Sequence, residues 1–582
     1  MNIYTERVDR LREKMTEAGI DVYYIPMSDC HNSEYVAPHF KCISFISGFT
    51  GSAGSVVVTK DQAWLFADGR YFIQAANQLE GSGIELMKIG EPGVPELYDF
   101  LVEKSRGKVL GFDGSVVPAW FGNRFSGDVK CDRDLAGEIW TDRPEQIFTD
   151  IYELPFESVG ETAGSKISRI RKELEGHVKE GTDYLYIINS LDDIAWIFNL
   201  RADDVENNPV QFAYAAITRD RVKLYTGAEL PDIPFEKGEY SPKCLCIEGY
   251  DTVLMDVSRI SFDTYRYYKE KGADIIDIAN PSTLMKGIKN SVEIACLKEA
   301  LVMDSAVMVN FMYWLKKNIG TIPMDEVSVA DYLEDLRSAQ EGFIGLSFGT
   351  ISAYGANAAQ MHYSPKRGSC AVIEPKGFLL VDSGGQYMKG TTDITRTFAM
   401  GPVTAEEKKA FTLTAASMLR LADAKFIKGC QGEVLDIMAR EPMWREGWDY
   451  KCGTGHGVGH ILNVHEGPHN IRWKINHDHP TAVLEPGMIV TDEPGVYREG
   501  QFGIRTENEL LVKVYKETSD GTFYEFDNLT FIPIDKDAID KEYLTAEDLR
   551  MLNEYHAEVY RVIAPLVDDE VREWLKEYTA EL

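Results

Sequence analysis

Two aspartates eleven residues apart, Asp382 and Asp393, lie in the segment Gly377-Phe-Leu-Leu-Val-Asp382-Ser-Gly-Gly-Gln-Tyr-Met-Lys-Gly-Thr-Thr-Asp393-Ile-Thr-Arg-Thr-Phe398. An apolar run ends on Asp382 and a glycine-rich turn follows. The second strand alternates Asp393, Thr395 and Thr397 on one face with Ile394 and Phe398 on the other. Such a hairpin brings two carboxylates together at a strand end. Unshielded, they repel, and one protonates unless a cation lies between them; a polar hairpin face accounts for the pair equally well. A second acidic pair repeats the pattern. Gly487-Met-Ile-Val-Thr-Asp-Glu493 runs into a Pro-Gly stop, and Glu507 follows 14 residues later on a strand that alternates Arg505, Glu507 and Glu509 with Ile504, Thr506 and Asn508. Between the pairs lies Lys451-Cys-Gly-Thr-Gly-His456-Gly-Val-Gly-His460-Ile-Leu-Asn-Val-His465-Glu-Gly-Pro468, and seven of the chain's 11 histidines fall between His362 and His479. Glycines around His456 are expected to let backbone approach a ligand closely. One imidazole with four carboxylates is a hard, oxygen-rich donor set, suited to Mn²⁺, Co²⁺ or Zn²⁺ in a two-metal site, and four carboxylates balance two divalent ions.

The elements that must position these groups fall into three parts: residues 1–155, 156–283 and 284–582. The first alternates strand-like runs (Val22–Ile25, Ser55–Thr59, Ala63–Phe66, Lys108–Phe112) with helical stretches (5–18, 71–79, 94–106), an α/β pattern. The second repeats that plan. Val58-Thr-Lys-Asp-Gln-Ala-Trp-Leu-Phe66 matches Ile217-Thr-Arg-Asp-Arg-Val-Lys-Leu-Tyr225, and Asp21-Val-Tyr-Tyr-Ile25 matches Asp183-Tyr-Leu-Tyr-Ile187. The third opens on Asn290-Ser-Val-Glu293, a capping box, with Ile294, Leu297, Leu301 and Met308 directed to a core. It closes on an amphipathic helix bearing Leu549, Leu552, Tyr555 and Val559.

Composition narrows the function classes. At 582 residues and a formal net charge of -32, the chain lacks the basic stripe that nucleic acid requires. No apolar run approaches the roughly 18 residues of a membrane span, and Met1–Arg10 has no apolar stretch of the secretory kind. Nine scattered cysteines, of which only Cys244 and Cys246 are close, indicate neither a disulfide framework nor a thiolate cage. A reducing cytoplasm fits this usage.

Five motifs of the third part carry a resemblance: Met361-His-Tyr-Ser-Pro365, Asp382-Ser-Gly-Gly-Gln-Tyr387, Gly453-Thr-Gly-His-Gly-Val-Gly459, Asn463-Val-His-Glu-Gly-Pro468 and Thr491-Asp-Glu-Pro-Gly495. With Asp382 and Asp393 at the family's spacing, this part resembles the pita-bread metallopeptidases, and among them aminopeptidase P. Ser47–Gly54, Asp68-Gly-Arg-Tyr-Phe72 and Ser190–Trp196 resemble the first two domains of its three-domain form. The fold implied is α/β and α+β multidomain, with two related N-terminal α/β domains before a pita-bread catalytic domain. The resemblance implies that Asp382, Asp393, His456, Glu493 and Glu507 ligate two divalent ions, most commonly Mn²⁺, with Asp393 and Glu507 bridging. It implies that His362 and His465 bind substrate and stabilise the tetrahedral intermediate, and that Arg505 orients substrate or a ligand.

The implied activity is release of the N-terminal residue from peptides with proline second, by attack of a metal-bridging hydroxide, with Glu493 handling the proton. A homodimer is implied as well, with the C-terminal helix available for the contact. Cys452 stands where aminopeptidase P commonly has histidine, which puts any substrate or proton-relay role of that position in doubt. Prolidase, acting on Xaa-Pro dipeptides, and a non-catalytic pita-bread scaffold are the competing readings. Arg70 is expected to anchor its own domain, and His460, His469, His477 and His479 to occupy loop or rim positions.

Overall fold

The computed structural model describes residues 2–475 and 480–582. His477 and His479 therefore lie outside the described residues. The chain forms two compact units, one of Met1–Leu154 with Glu161–Thr283, the other of Pro155–Gly160 with Leu284–Leu582.

The first unit opens on the helix Ile3–Ala18. Asn2 caps its N-terminus, Val8, Leu11 and Met15 face the core, and Gly19 ends it at φ 63°, a conformation that favours glycine. Two six-stranded sheets follow. In the first, the strands lie in the order Glu85–Lys88, Ala63–Ala67, Ser55–Thr59, Val22–Pro26, Leu110–Gly111, Val129–Lys130. In the second, the order is Glu236–Gly238, Val222–Thr226, Ala213–Ile217, Leu185–Ile188, Thr252–Met255, Asp274–Asp277. Numbered within each sheet, both read 4-3-2-1-5-6. The parallel and antiparallel pairings also agree strand by strand. The paired segments matched in sequence, Val58–Phe66 with Ile217–Tyr225 and Asp21–Ile25 with Asp183–Ile187, fall at equivalent hairpins and first strands. Arg70 donates to both carboxylate oxygens of Asp68 at 3.0 and 2.8 Å, the local anchor expected of it.

The second unit carries the chemistry-bearing motifs. Its first long helix, Ser291–Asn318, begins with the capping box of Asn290 and Glu293 and buries Leu297, Leu301 and Met308, while Ile294 is half-buried. Phe378–Ser383 is the middle strand of a three-stranded antiparallel sheet, between Ile351–Tyr354 and Ile394–Ala399. A six-stranded sheet runs Lys425–Ile427, Gly521–Asn528, Asn508–Thr518, Ile489–Asp492, Gly455–Gly457, Glu466–Ile471, and Gly495–Arg498 pairs separately with Phe502–Arg505. The six-stranded sheet packs its own apolar residues Phe426, Val490, Leu510 and Phe526 in a separate core, while another core joins the three-stranded sheet and the Gly495–Arg498 and Phe502–Arg505 pair to the helices Ala405–Ala422 and Ala546–Ile563. The latter buries Met551, Leu552, Tyr555 and Val559, with Leu549 half-buried, and a further helix, Asp569–Tyr578, adds Val571 and Leu575.

His556, on the inner face of Ala546–Ile563, is fully buried and accepts a hydrogen bond at Nε2 from the Ile534 amide, 3.1 Å away. Burial, aided by the charges of Lys536 and Arg396, lowers its pKa to about 4. The unfolded residue titrates near ~6.5. Its neutral form therefore contributes stability that is complete above that pH and is lost as pH falls through the folded value. Unfolding midpoints of the full chain and of His556→Gln, whose amide oxygen can accept the same bond, test this. Between pH 7.5 and 5 the variant should gain about 2 kcal/mol on the parent; parallel pH curves would refute it.

Candidate metal centre

Four strand ends converge in the second unit. Asp382 lies near the end of Phe378–Ser383, opposite Thr395 of the neighbouring strand, and Asp393 immediately precedes that strand. The Asp393 amide donates to Glu509 Oε1 at 2.8 Å, which fixes the backbone at the acid. Glu493 follows Ile489–Asp492, and its amide donates to the Thr454 carbonyl at 2.8 Å before Pro494 ends the ladder. Glu507 sits between two strands, its amide bonded to the Thr395 carbonyl at 3.1 Å and its Oε2 accepting from Thr395 Oγ at 2.6 Å. The polar face of this segment meets no solvent, since Arg505, Glu507 and Glu509 are all buried.

His456 projects from the short strand Gly455–Gly457. Its Nδ1 lies 2.8 Å from the Gly457 carbonyl, an arrangement in which Nδ1–H donates to that carbonyl and Nε2 faces the carboxylates. Nε2 is 3.4 Å from both Asp393 and Glu493. A Cβ on Gly455 would fall 1.9 Å from the Thr491 carbonyl oxygen, and one on Gly457 would fall 2.1 Å from that of Glu466, so the flanking glycines let neighbouring strands close on this one.

Ligand atoms of Asp393, His456 and Glu507 all lie within 4.8 Å of one another. Asp382 joins them through Arg505, whose Nη2 donates to its Oδ2 at 2.5 Å, while Arg505 Nε reaches Thr395 Oγ at 3.2 Å and Nη1 the Tyr497 hydroxyl at 2.6 Å. Arg505 Nη2 also reaches the Met361 carbonyl at 3.3 Å, which brings the segment of His362 to the same place. The His465 ring meets His456 edge-on with centroids 4.4 Å apart. Asp382, Asp393, His456, Glu493, Glu507, His465 and Arg505 thus meet in one neighbourhood, and His362 follows Met361, whose carbonyl reaches Arg505 there.

The charge balance supplies the fit test for metal. Burial, then the charges of Asp393, Glu493 and Asp382, raises Glu507 well above the usual carboxylate range. Burial also raises Asp382 and Glu493, against the opposing pull of Arg505 and His456 respectively. Burial alone would lower His456, but its bond to Asp393 and the charges of Glu493 and Asp393 outweigh that and lift it to about 9. Asp382 Oδ1 is buried with no hydrogen-bond partner. A donor set that is oxygen-rich, mostly buried and short of positive charge, with an orphaned carboxylate oxygen and one oriented imidazole, fits divalent cations.

Thr395 and Glu509, which the strand alternation put on the polar faces of Asp393 and Glu507, hold Glu507 and the Asp393 amide. Tyr497, whose hydroxyl accepts from Arg505, carried no signal in the sequence, and only three-dimensional proximity reveals it. His460 and His469 are buried, not at a rim. Their Nε2 atoms lie 2.7 Å from the Ser158 and Ile489 carbonyls, so both rings pack as structural groups, and burial lowers His469 to about 4. Cys452 is half-buried against the main core, and its carbonyl accepts from Arg440 at 2.7 Å.

Comparison with known proteins agrees with this geometry. Residues 295–514 match the model of metallopeptidase family M24, and residues 522–582 the C-terminal region of peptidase M24. Residues 7–137 and 142–293 each match a creatinase/prolidase N-terminal domain. A probable Xaa-Pro aminopeptidase P of Aspergillus flavus is 36% identical over 614 aligned positions, covering 99% of this chain and 92% of that protein. One from Talaromyces marneffei is 37% identical with the same coverage. The crystal structure of X-prolyl aminopeptidase from Caenorhabditis elegans, described as a cytosolic enzyme with a di-nuclear active site, superposes with a TM-score of 0.92 at 30% identity over 100% of both chains. A Thermococcus sibiricus prolidase, at 22% identity and a TM-score of 0.51, covers 64% of this chain and shares the fold. Similar to these relatives from end to end, with two N-terminal α/β domains before a pita-bread domain, the chain belongs to metallopeptidase family M24, in its Xaa-Pro aminopeptidase P branch.

Proposed function

We propose that the protein is a metal-dependent aminopeptidase that releases the N-terminal residue from peptides with proline in the second position. The observation that carries the reading is the convergence of Asp393, His456 and Glu507 ligand atoms within 4.8 Å, in a chain whose full-length relatives are named Xaa-Pro aminopeptidase P. Asp382, Asp393, His456, Glu493 and Glu507 would hold two divalent ions, and four carboxylates with a single imidazole favour Mn²⁺ over a thiolate-seeking metal. When bound, such ions bring the pKa of a shared water towards neutrality and polarise the scissile carbonyl.

The chain's own groups do the rest. Arg505 holds Asp382 and Thr395 holds Glu507, so that these acids keep their orientation through turnover. Glu493 takes the proton released as the nucleophile forms and returns it to the departing proline nitrogen, which carries no hydrogen of its own in the peptide and must gain one to leave. His465, edge-on to His456, hydrogen-bonds the developing oxyanion, and His362 orients the substrate. A cytoplasmic location accords with the cytosolic C. elegans relative. Among the described residues, no helix is long and apolar enough to cross a membrane. A homodimer forms part of the same reading. The exposed side chains of Val434, Ile437, Met438 and Trp444 on one helix, with Trp473 beside Trp444, supply an apolar surface for it.

Metal-stripped protein given Mn²⁺ should regain release of arginine from Arg-Pro-Pro while Gly-Pro remains slow. Cleavage of the dipeptide alone would move the assignment to prolidase, and two bound ions without either activity would leave a metal centre with another substrate. Glu493→Gln should lower kcat by roughly 10²-fold or more, measured alongside metal content; undiminished turnover would sink the proton-handling role.

A further inference from the structure

The segment that carries His362 has almost no regular structure of its own. After the strand Ile351–Tyr354 and a short 3-10 turn, Gly355–Ala359, the chain runs without helix or strand through residues 360–371. It crosses the Phe502–Arg505 strand so closely that a Cβ on Gly503 would fall 1.7 Å from the Ala358 carbonyl oxygen. Loops of this kind hold a side chain in place only if something ties them down.

One carboxylate ties this loop at several points. Glu326, the first residue of the helix Glu326–Ser338, is 0% exposed. Its Oε1 accepts from the Tyr354 amide at 2.7 Å and from Asn357 Nδ2 at 2.9 Å, both on the incoming limb. Its Oε2 accepts from the Tyr363 hydroxyl at 2.8 Å and from the Ala371 amide at 2.8 Å, on the outgoing limb. Asn357 Nδ2 also reaches the Tyr363 hydroxyl at 3.1 Å, which closes the network. The Glu326 amide in turn donates to the Ala371 carbonyl at 3.2 Å, and Ile373 donates to Met324 at 2.9 Å, so the loop ends where it began. Burial and the adjacent Glu326 raise the Tyr363 phenol, which therefore stays a donor. His362 lies between two anchors: Tyr363 on Glu326, and Met361, whose carbonyl is held by Arg505 at 3.3 Å.

We infer that Glu326, through Tyr363, is a positioning residue that fixes the His362 side chain against the metal centre. The inference rests on the reading of His362 as a substrate-binding group. Without the Tyr363 tie, residues 360–371 gain freedom at the point where the ring must be held to a fraction of an ångström, and productive orientation is lost before the fold is.

The test is a double-mutant cycle on Arg-Pro-Pro hydrolysis with the Mn²⁺-loaded full chain. Tyr363→Phe removes one hydroxyl and preserves the ring that packs against Ile351, Ala353, Ala358 and Leu380. It should lower kcat/KM roughly 10-fold in the parent, but less than about twofold in a His362→Ala background, with bound Mn²⁺ unchanged. Glu326→Gln, which replaces an acceptor oxygen by an amide donor facing two N–H or O–H groups, should give a larger loss with the same dependence on His362. An equal loss in both backgrounds would overturn the inference, as would a Tyr363→Phe enzyme with parental kcat/KM. If His362→Ala itself retains parental kcat/KM, the substrate role of His362 fails and the inference with it. A damaged His362→Ala beside an undamaged Tyr363→Phe defeats the positioning role alone.

Discussion

The mutual repulsion of carboxylates buried together governs the second unit. Asp382, Asp393, Glu493 and Glu507 come from different strands, yet they share a space from which most water is excluded. Isolated there, they would protonate or push the strand ends apart. Arg505 and the imidazole of His456 offset part of the charge. The remainder is what makes the place a cation site, and it couples the retention of divalent ions to the integrity of the surrounding sheet.

Holding repelling groups in place demands a stiff frame, and buried ionic hubs beside three of the motifs supply part of it. Asp304, on the helix Ser291–Asn318, accepts from Arg337 at 2.8 and 3.1 Å, from the Tyr387 hydroxyl at 3.0 Å and from Thr392 Oγ at 2.6 Å. Tyr387 and Thr392 belong to the segment between Asp382 and Asp393, which itself forms the paired strands Gly385–Tyr387 and Gly390–Thr391, so this hub braces the connection between the two acids. Asp436 and Arg440 do the same for the approach to His456: Arg440 donates to Asp436 at 2.6 Å and to the Tyr450 and Cys452 carbonyls at 2.8 and 2.7 Å, while Asp436 also accepts from Thr454. Glu466, next to His465, lies between the ammonium groups of Lys286 and Lys289. Removing one partner from such a pair strands a charge in the interior and typically costs about 3–5 kcal/mol. The segments of Asp382, His456 and His465 are each braced in this way by buried ionic groups.

The first unit shows how far a plan can persist after its sequence has diverged. Its two sheets share strand order and every pairing direction, while recognisable similarity survives only at the first strands and the hairpins that follow them. Sheet order depends on which strands are apolar on both faces and on short connections, and many sequences meet that demand. The hairpin turns are more particular, and they are where the likeness remained visible.

Some features were legible in the residues alone because they are local. The capping box at Asn290, the period-3.6 faces of the first and C-terminal helices and the period-2 face of Asp393, Thr395 and Thr397 each follow from neighbours along the chain. The spacing of Asp382 and Asp393 within familiar motifs pointed to the family. What tertiary structure alone decided is everything that depends on distant segments meeting. Thr395 found Glu507, Glu509 found the Asp393 amide and Tyr497 found Arg505, His460 and His469 became buried structural groups, and the glycines beside His456 admit the contact of strand on strand. Glu326, 36 residues before His362 and outside every motif, acquired its place because the loop returns to it. Periodicity reports which face of an element is apolar. It carries no information on which buried donor will find which acceptor, because that pairing is settled by the packing of whole elements at ångström range.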